Sequence, residues 1–274
     1  MQEYICDMSF IRKYHDDFLN KNPRANLVVT FYNALDLLAS PSNNFENINK
    51  RLDQTFSQVI TRMLNHRIIK HEPFFEILQE LFPNRDIEYS NELDIRADGA
   101  LGLFSFLINI KENGSNINVE DKSIIIEFAT NSRTQKNGQI IKTTAIRNEI
   151  ISKIIEQNLD AKDYHNWKPY VESFLKKMIQ DYANDPRFLL EPFLPSVSEI
   201  DITSCELFLN AFSYYLMDNS KSPDINDNID ALSLLYVRNG RKLLIHDEMW
   251  ENCINMVGLK EKYLEPIDIY KTKT

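Results

Sequence analysis

The stretch YICDMSFI at residues 4–11 decides the fold class, because an apolar run ends at Asp7 and a helical pattern follows at once. Residues 3–7 predict a buried strand, and residues 9–20 predict an amphipathic helix with apolar side chains at helical spacing. A second strand is predicted at residues 27–31, and another helical pattern comes directly after it. Strand, helix, strand and helix in this order predict the start of a parallel α/β sheet.

The last third of the chain again has the strand and helix patterns of an α/β fold. A helix opens at residues 226–232 and is predicted to stop at Gly240, and a strand at 242–245 then runs into His246 and Asp247. Both ends of the chain therefore predict pieces of one central parallel sheet flanked by helices. Carboxylates that follow parallel strands converge on the crevice where open α/β sheets bind ligands.

The middle of the chain is predicted to be mostly helical. The expected helices are 45–70, 73–82, 100–111, 121–132, 142–158 and 165–183, with a break at Asn137-Gly138. We predict an α/β core formed by residues 1–44 and 196–274, interrupted by a large helical insertion at 45–195. The insertion could restrict a substrate, bind a protein partner or mediate homo-oligomerisation.

Composition limits the classes of function. The 274 residues are 43% hydrophobic, which is ample for a core, and no apolar run is long enough for a membrane span. The first residues lack the features of a signal peptide, and the three cysteines are too scattered for a disulfide framework, so we expect a cytoplasmic protein. The net charge of −9 argues against broad electrostatic binding of nucleic acid, but not against a nuclease with a local basic patch.

Each candidate acid has a structural alternative. Asp7 could cap the helix that follows it, and Asp247 could start the next one. Asp227 and Asp230 share a helical face near a helix N-terminus, where acids are common. Asp36 lies among leucines in its predicted helix and could belong to a solvated face. Each acid alone is therefore weak evidence for a functional site, and their order along the chain is stronger evidence.

The order of these acids resembles that of the PIN-domain nucleases. Residues 4–11 are similar to the opening motif of that family, residues 28–37 to its second motif, and residues 226–247 to its closing motif. The resemblance implies a PIN-like sheet and a metal-binding and catalytic quartet formed by Asp7, Asp36, Asp230 and Asp247. It also implies accessory roles at the cofactor site for Ser9 and Asp227.

The resemblance implies a Mg²⁺- or Mn²⁺-dependent nuclease that hydrolyses phosphodiester bonds, with RNA as the expected substrate and an endoribonuclease as the expected activity. Carboxylates suit these hard cations, which activate water for attack on a phosphodiester. Two positions depart from the family pattern, since Asp36 replaces the commoner Glu and Ile245 stands where Thr or Ser is usual. The alternative is therefore a weakly active or inactive PIN-like protein that binds RNA or a partner. A phosphatase of the haloacid-dehalogenase type ranks lower, because Ser9 stands where that family needs a second Asp.

Three basic residues flank the closing motif: Arg238, Arg241 and Lys242. They could contact the phosphates of a nucleic acid. They could also complement the C-terminus of the preceding helix, which is the interpretation that we favour.

Overall fold

The structure is a computed structural model that describes residues 2–30, 44–48, 50, 69–72, 74–85, 87, 119–183, 195–218 and 225–267. The strands are β1 (Gln2–Cys6), β2 (Ala25–Thr30), β3 (Ile69–Glu72) and β4 (Lys242–Leu244). The α-helices are α1 (Met8–Lys21), α2 (Phe74–Leu81), α3 (Val119–Glu156), α4 (Lys168–Ala183), α5 (Glu206–Met217), α6 (Ile225–Ser233), α7 (Glu248–Met256) and α8 (Lys260–Tyr263). Short 3₁₀ turns lie at Tyr164–Asn166, Val197–Glu199, Thr203–Cys205 and Leu234–Tyr236.

The four strands form one sheet in the order β3-β2-β1-β4, and every pair is parallel. The predicted α/β class is therefore confirmed, and strands from the two ends of the chain lie side by side. β2 and β3 are added on one side of β1, whereas β4 is added on the other. The direction of strand addition thus reverses between β1 and β4. Ligands bind open α/β sheets at the carboxyl ends of the strands at such a switch point.

The first helix lies against the sheet because its apolar residues recur at helical spacing. The Phe18 ring of α1 meets the ring of Tyr4 on β1, with 5.0 Å between ring centroids, and that of Phe10 at 5.7 Å. Ile5 on β1 and Val28 on β2 are fully buried. Burial on both faces explains why these strands are almost continuously apolar instead of alternating.

Two predictions for the middle of the chain are wrong. The helix expected at 45–70 cannot reach its predicted end, because residues 69–72 form β3 and pair with β2. Asn137-Gly138 does not break a helix, since α3 runs through it from Val119 to Glu156. An interior glycine costs a helix about 1 kcal/mol, which the rest of a 38-residue helix can offset. The helices predicted at 73–82 and 165–183 are confirmed as α2 and α4.

The middle segment contacts the core at several points. The Arg238 guanidinium forms an ion pair with Glu80 of α2, with 2.5 Å between Nε and Oε2. The backbone N–H of Asp201 donates to the carbonyl of Leu81 at 2.9 Å. Helix α3 packs on α6. The boundaries of the core and of the insertion at 45–195 stay a prediction, but β3 shows that part of this segment belongs to the sheet.

The closing segment follows the predicted order of helix, turn, strand and helix. α6 ends at Ser233, earlier than expected, and the 3₁₀ turn Leu234–Tyr236 follows it. Gly240 then takes a φ of 80° in the turn before β4, a conformation that glycine adopts without steric cost. In the part of the chain that the structure describes, no helix has the length and apolar character needed to cross a bilayer.

Candidate active site at the carboxyl edge of the sheet

Asp7 lies directly after β1 and ties three elements together. Its backbone N–H donates to the carbonyl of Leu244 on β4 at 3.1 Å. Its carboxylate Oδ1 accepts from the backbone N–H of Phe10, which makes it the N-cap of α1. Its Oδ2 accepts from the backbone N–H of His246 at 2.6 Å. The capping alternative for Asp7 is thus confirmed, and the same side chain joins the ends of β1 and β4.

Asp247 caps the next helix with one oxygen only. Its Oδ1 accepts from the backbone N–H groups of Met249 at 2.8 Å and Trp250 at 3.0 Å, at the start of α7. Within the described part of the chain, Oδ2 of Asp247 accepts no hydrogen bond. Asp247 therefore combines a structural cap with an oxygen that can serve another ligand.

The environment of Asp7 disfavours its charge. The carboxyl is 7% exposed, and burial is the main cause that raises its pKa above the ordinary aspartate value. The negative charge of Asp247 raises it further, while the N–H groups of His246 and Phe10 oppose both effects. Burial and the charge of Asp247 therefore both disfavour ionisation of the Asp7 carboxyl.

The helix that carries Asp230 is tied to the end of β2 through a pair of buried hydroxyls. Continuing the register of β1 and β2 beyond Ile5 and Val28 brings Asp7 level with Thr30. The Thr30 Oγ1 lies 3.2 Å from the Oγ of Ser233, the last residue of α6. Asp230 lies three residues before Ser233, so it shares that face of α6 one turn away. The Thr30–Ser233 pair was not identified from the sequence, because Thr30 is an ordinary strand residue there.

Asp227 is engaged by helix α5. Its Oδ2 accepts from the hydroxyl of Tyr215 on α5 at 3.1 Å. Ser9 is exposed in the first turn of α1. Asp36, the remaining member of the predicted quartet, lies outside the described residues. The structure thus joins Asp7 to the segment that carries Asp247. It brings the helix of Asp230 to the end of β2. Asp227 is bonded to Tyr215 of α5.

The basic residues near the closing motif have structural partners. Arg238 is 2% exposed, and besides Glu80 it reaches the Leu235 carbonyl at 3.4 Å. Arg241 pairs with Glu3, with 2.8 Å between Nε and Oε2, and donates to the Tyr236 carbonyl at 3.3 Å. Both arginines therefore bind carbonyls in the turn after α6, as the helix C-terminus interpretation predicts. Lys242 donates to the Glu261 carbonyl at 3.0 Å.

The donor chemistry of this edge suits a hard cation. Carboxylate oxygens are the ligands that Mg²⁺ and Mn²⁺ prefer, and Mg²⁺ is commonly held by one or two carboxylates together with water and substrate phosphates. Among the residues that the structure describes, no three His, Cys, Asp or Glu side chains form a metal-binding group. The carboxylates at this edge that could hold a cation are those of Asp7 and Asp247. Asp230 lies one helical turn before Ser233, the residue of α6 that contacts Thr30.

No family model, curated protein or solved structure matches this chain.

Proposed function

We propose that the protein is a Mg²⁺- or Mn²⁺-dependent nuclease with a PIN-like core, and that it cleaves RNA internally. The observation that carries the proposal is the position of Asp7 and Asp247. They follow two adjacent parallel strands on either side of the switch point, and Oδ2 of Asp7 accepts from the backbone N–H of His246, the residue before Asp247. Two carboxylates held close together at a ligand crevice are typical of a cation site.

The proposed roles follow from the contacts of each acid. Asp7 presents a buried carboxyl fixed by two backbone N–H groups, and a cation would stabilise its charged form in the same way that these donors do. Asp247 contributes Oδ2, since Oδ1 caps α7. Asp230 and Asp36 would complete the quartet, with Ser9 and Asp227 as accessory groups. When bound, the cation supplies Lewis acidity toward the scissile phosphate.

Two further parts of the proposal concern partners. RNA is the substrate that we expect, and the segment 45–195 is the part that could restrict it, bind a protein partner or join two copies. The ion pairs of Arg238 and Arg241 with Glu80 and Glu3 indicate that these arginines are not the phosphate-binding groups. Phosphate contacts would therefore have to come from other basic residues.

The test is cleavage of end-labelled single-stranded RNA and DNA by the purified protein with Mn²⁺ or with EDTA. Asp247→Asn is the informative variant, because its amide oxygen can keep the cap on α7 while the charge is lost. Asp181→Asn is the matched control, since Asp181 is an exposed acid on α4.

We expect Mn²⁺-dependent cleavage of RNA that Asp247→Asn lowers by at least about 100-fold, the order that loss of a metal ligand or its support causes. Asp181→Asn should cleave like the unmodified protein. Equal cleavage by both variants, or cleavage that persists in EDTA, would exclude the proposed metal site.

A second candidate function is the binding of RNA or a protein partner without cleavage. It is favoured by the complete engagement of the Asp7 oxygens in backbone hydrogen bonds and by the buried Ile245 at the position where the resemblance implies a hydroxyl. Retained RNA binding with no cleavage at any Mn²⁺ concentration would support this candidate over the first.

A further inference from the structure

Tyr215 on α5 touches both helices that carry candidate acids. Its hydroxyl donates to Oδ2 of Asp227 on α6 at 3.1 Å. Its ring lies against the ring of Trp250 on α7, with 5.1 Å between centroids. Trp250 is three residues after Asp247 and its backbone N–H is bonded to that carboxylate. One buried side chain thus connects the helix of Asp230 with the helix that Asp247 begins.

Arg147 of α3 holds Tyr215 from the opposite side. Its Nη2 donates to the carbonyl of Tyr215 in the last turn of α5 at 3.0 Å and to that of the C-cap residue Asp218 at 3.2 Å. Its guanidinium carbon lies 5.6 Å from the centre of the Tyr215 ring, within the range of a cation–π contact. Arg147 is 8% exposed and Tyr215 is 4% exposed, so both contacts are shielded from water.

The contacts form a chain from the middle segment to the candidate site. Helix α3 packs on α6, and α5 packs on α7, so the main bodies of these helices are already adjacent. Within that packing, the Tyr215 hydroxyl is a polar link between α5 and α6, and a buried hydroxyl that loses its acceptor costs stability. A satisfied buried hydrogen bond adds rigidity and specificity to the apolar packing between these helices.

We propose that Tyr215, held by Arg147, is a positioning residue that sets the spacing of Asp230 and Asp247. In this arrangement Asp227 acts as the anchor for Tyr215 and not as a metal ligand. The inference rests on the proposed function and adds residues to it that no sequence motif indicates. It also gives the long helix α3 a role in the site, since Arg147 contacts both the Tyr215 ring and the Tyr215 carbonyl.

Tyr215→Phe tests the proposal, because it removes the hydroxyl and keeps the ring against Trp250 and Arg147. Tyr214→Phe is the matched control: it is the same change at the next residue, a partly exposed position whose ring meets Tyr164 at 6.3 Å between centroids. Asp227→Ala removes the same hydrogen bond from the other side. The readouts are the Mn²⁺ dissociation constant from calorimetry, and kcat and KM for RNA cleavage, with circular dichroism to confirm folding.

We expect Tyr215→Phe and Asp227→Ala each to weaken Mn²⁺ binding and lower kcat by about 10–100-fold, the range found for groups that orient metal ligands. KM for RNA should stay within about twofold, and Tyr214→Phe should match the unmodified protein. If Tyr215→Phe behaves like Tyr214→Phe while the unmodified protein cleaves RNA, the positioning role is overturned and the proposed function stands. If the unmodified protein neither binds Mn²⁺ nor cleaves RNA, the proposed function is overturned and this inference with it.

Discussion

Asp7 has both a structural role, as a helix cap, and a role in the proposed metal site. Its two carboxylate oxygens bind two backbone N–H groups from different segments, Phe10 in α1 and His246 after β4. The same contacts that make it a cap also fix its carboxyl at the switch point of the sheet. A capping role and a role in a metal site are therefore compatible, because a carboxylate oxygen can accept more than one partner.

Replacing Asp7 by Asn should lower stability more than an ordinary cap substitution. Asn caps helices as well as Asp does, but its amide offers one acceptor, so an NH₂ group would face either Phe10 or His246 N–H. We expect a loss of about 1–3 kcal/mol in the free energy of unfolding, the cost of a buried polar group without a partner. Urea denaturation measures this.

Asp247→Asn provides the comparison for that measurement. Because Asp247 uses only Oδ1 for its cap, the variant should lose no more than about 0.5 kcal/mol, as is usual away from a special contact. An equal loss of unfolding free energy in Asp7→Asn and Asp247→Asn would contradict this reasoning. The two variants would then not differ although Asp7 uses both carboxylate oxygens and Asp247 uses one.

The candidate residues differ in how far the sequence reveals them. Asp7 and Asp247 follow strands, so the rule for parallel sheets predicts that they converge, and the structure brings their segments together. Tyr215 and Thr30 could not be predicted in this way. Their roles depend on which helix packs beside them, and no local pattern encodes that packing.

At the scale of elements, the hydroxyls of Thr30 and Ser233 join the end of β2 to the end of α6. Both side chains are buried, at 0% and 5% exposure, so the contact is shielded from water. It ties the last residue of α6, one helical turn after Asp230, to the last residue of β2. The link is short in space although 203 residues separate the two positions in the chain.

A double-mutant cycle with Thr30→Val and Ser233→Ala should reveal this link. Each single variant removes one hydroxyl with little change of shape, and the double variant removes both. We expect a coupling energy of about 0.5–1.5 kcal/mol in the free energy of unfolding, the net value of one hydrogen bond. Strictly additive losses in the two single variants would show that the hydroxyls do not interact.

Helix α5 is joined to α8 by an acid whose pKa is lowered. Hydrogen bonds from Lys262 and from the Tyr263 hydroxyl, the latter at 2.6 Å, hold the pKa of Glu206 below the ordinary glutamate value. A lowered pKa means that the carboxylate stabilises the folded chain above the unfolded value of about 4.3, and that this stability is lost as the pH falls through the lower folded value.

Glu206→Gln should therefore flatten the dependence of stability on pH below about 4.3, where the unmodified protein loses the carboxylate contacts. Denaturation at several pH values between about 2.5 and 6 measures the slope. Glu172→Gln on α4 is a suitable control, because that partly exposed residue lies on a different helix. The same slope in Glu206→Gln and in the unmodified protein would contradict the role of Glu206.

At the scale of the whole molecule, the fold class was predictable and the boundary of the sheet was not. Strand and helix patterns at both ends define a parallel sheet, because strands buried on both faces are continuously apolar. β3 was missed because its sequence, Ile69-Lys70-His71-Glu72, has a single apolar residue and follows a helical pattern. Pairing with β2, and not local propensity, makes it a strand.

The reversal of strand order between β1 and β4 is the reason for proposing the site at the carboxyl edge. Asp7, Asp247 and the helix of Asp230 meet this edge from three separate parts of the sequence. Helix α3 is linked to the same region through Arg147 and Tyr215. The metal-dependent function proposed for the chain depends on whether a cation binds there.

Anomalous diffraction from crystals soaked in Mn²⁺ tests this claim most directly. We expect an anomalous peak within about 2.0–2.6 Å of carboxylate oxygens of Asp7 and Asp247, the range of metal–oxygen bonds for hard cations. The peak should be absent from crystals of Asp247→Asn and present in those of Asp181→Asn. A Mn²⁺ ion bound only elsewhere, or no peak at this edge at saturating Mn²⁺, would contradict the account.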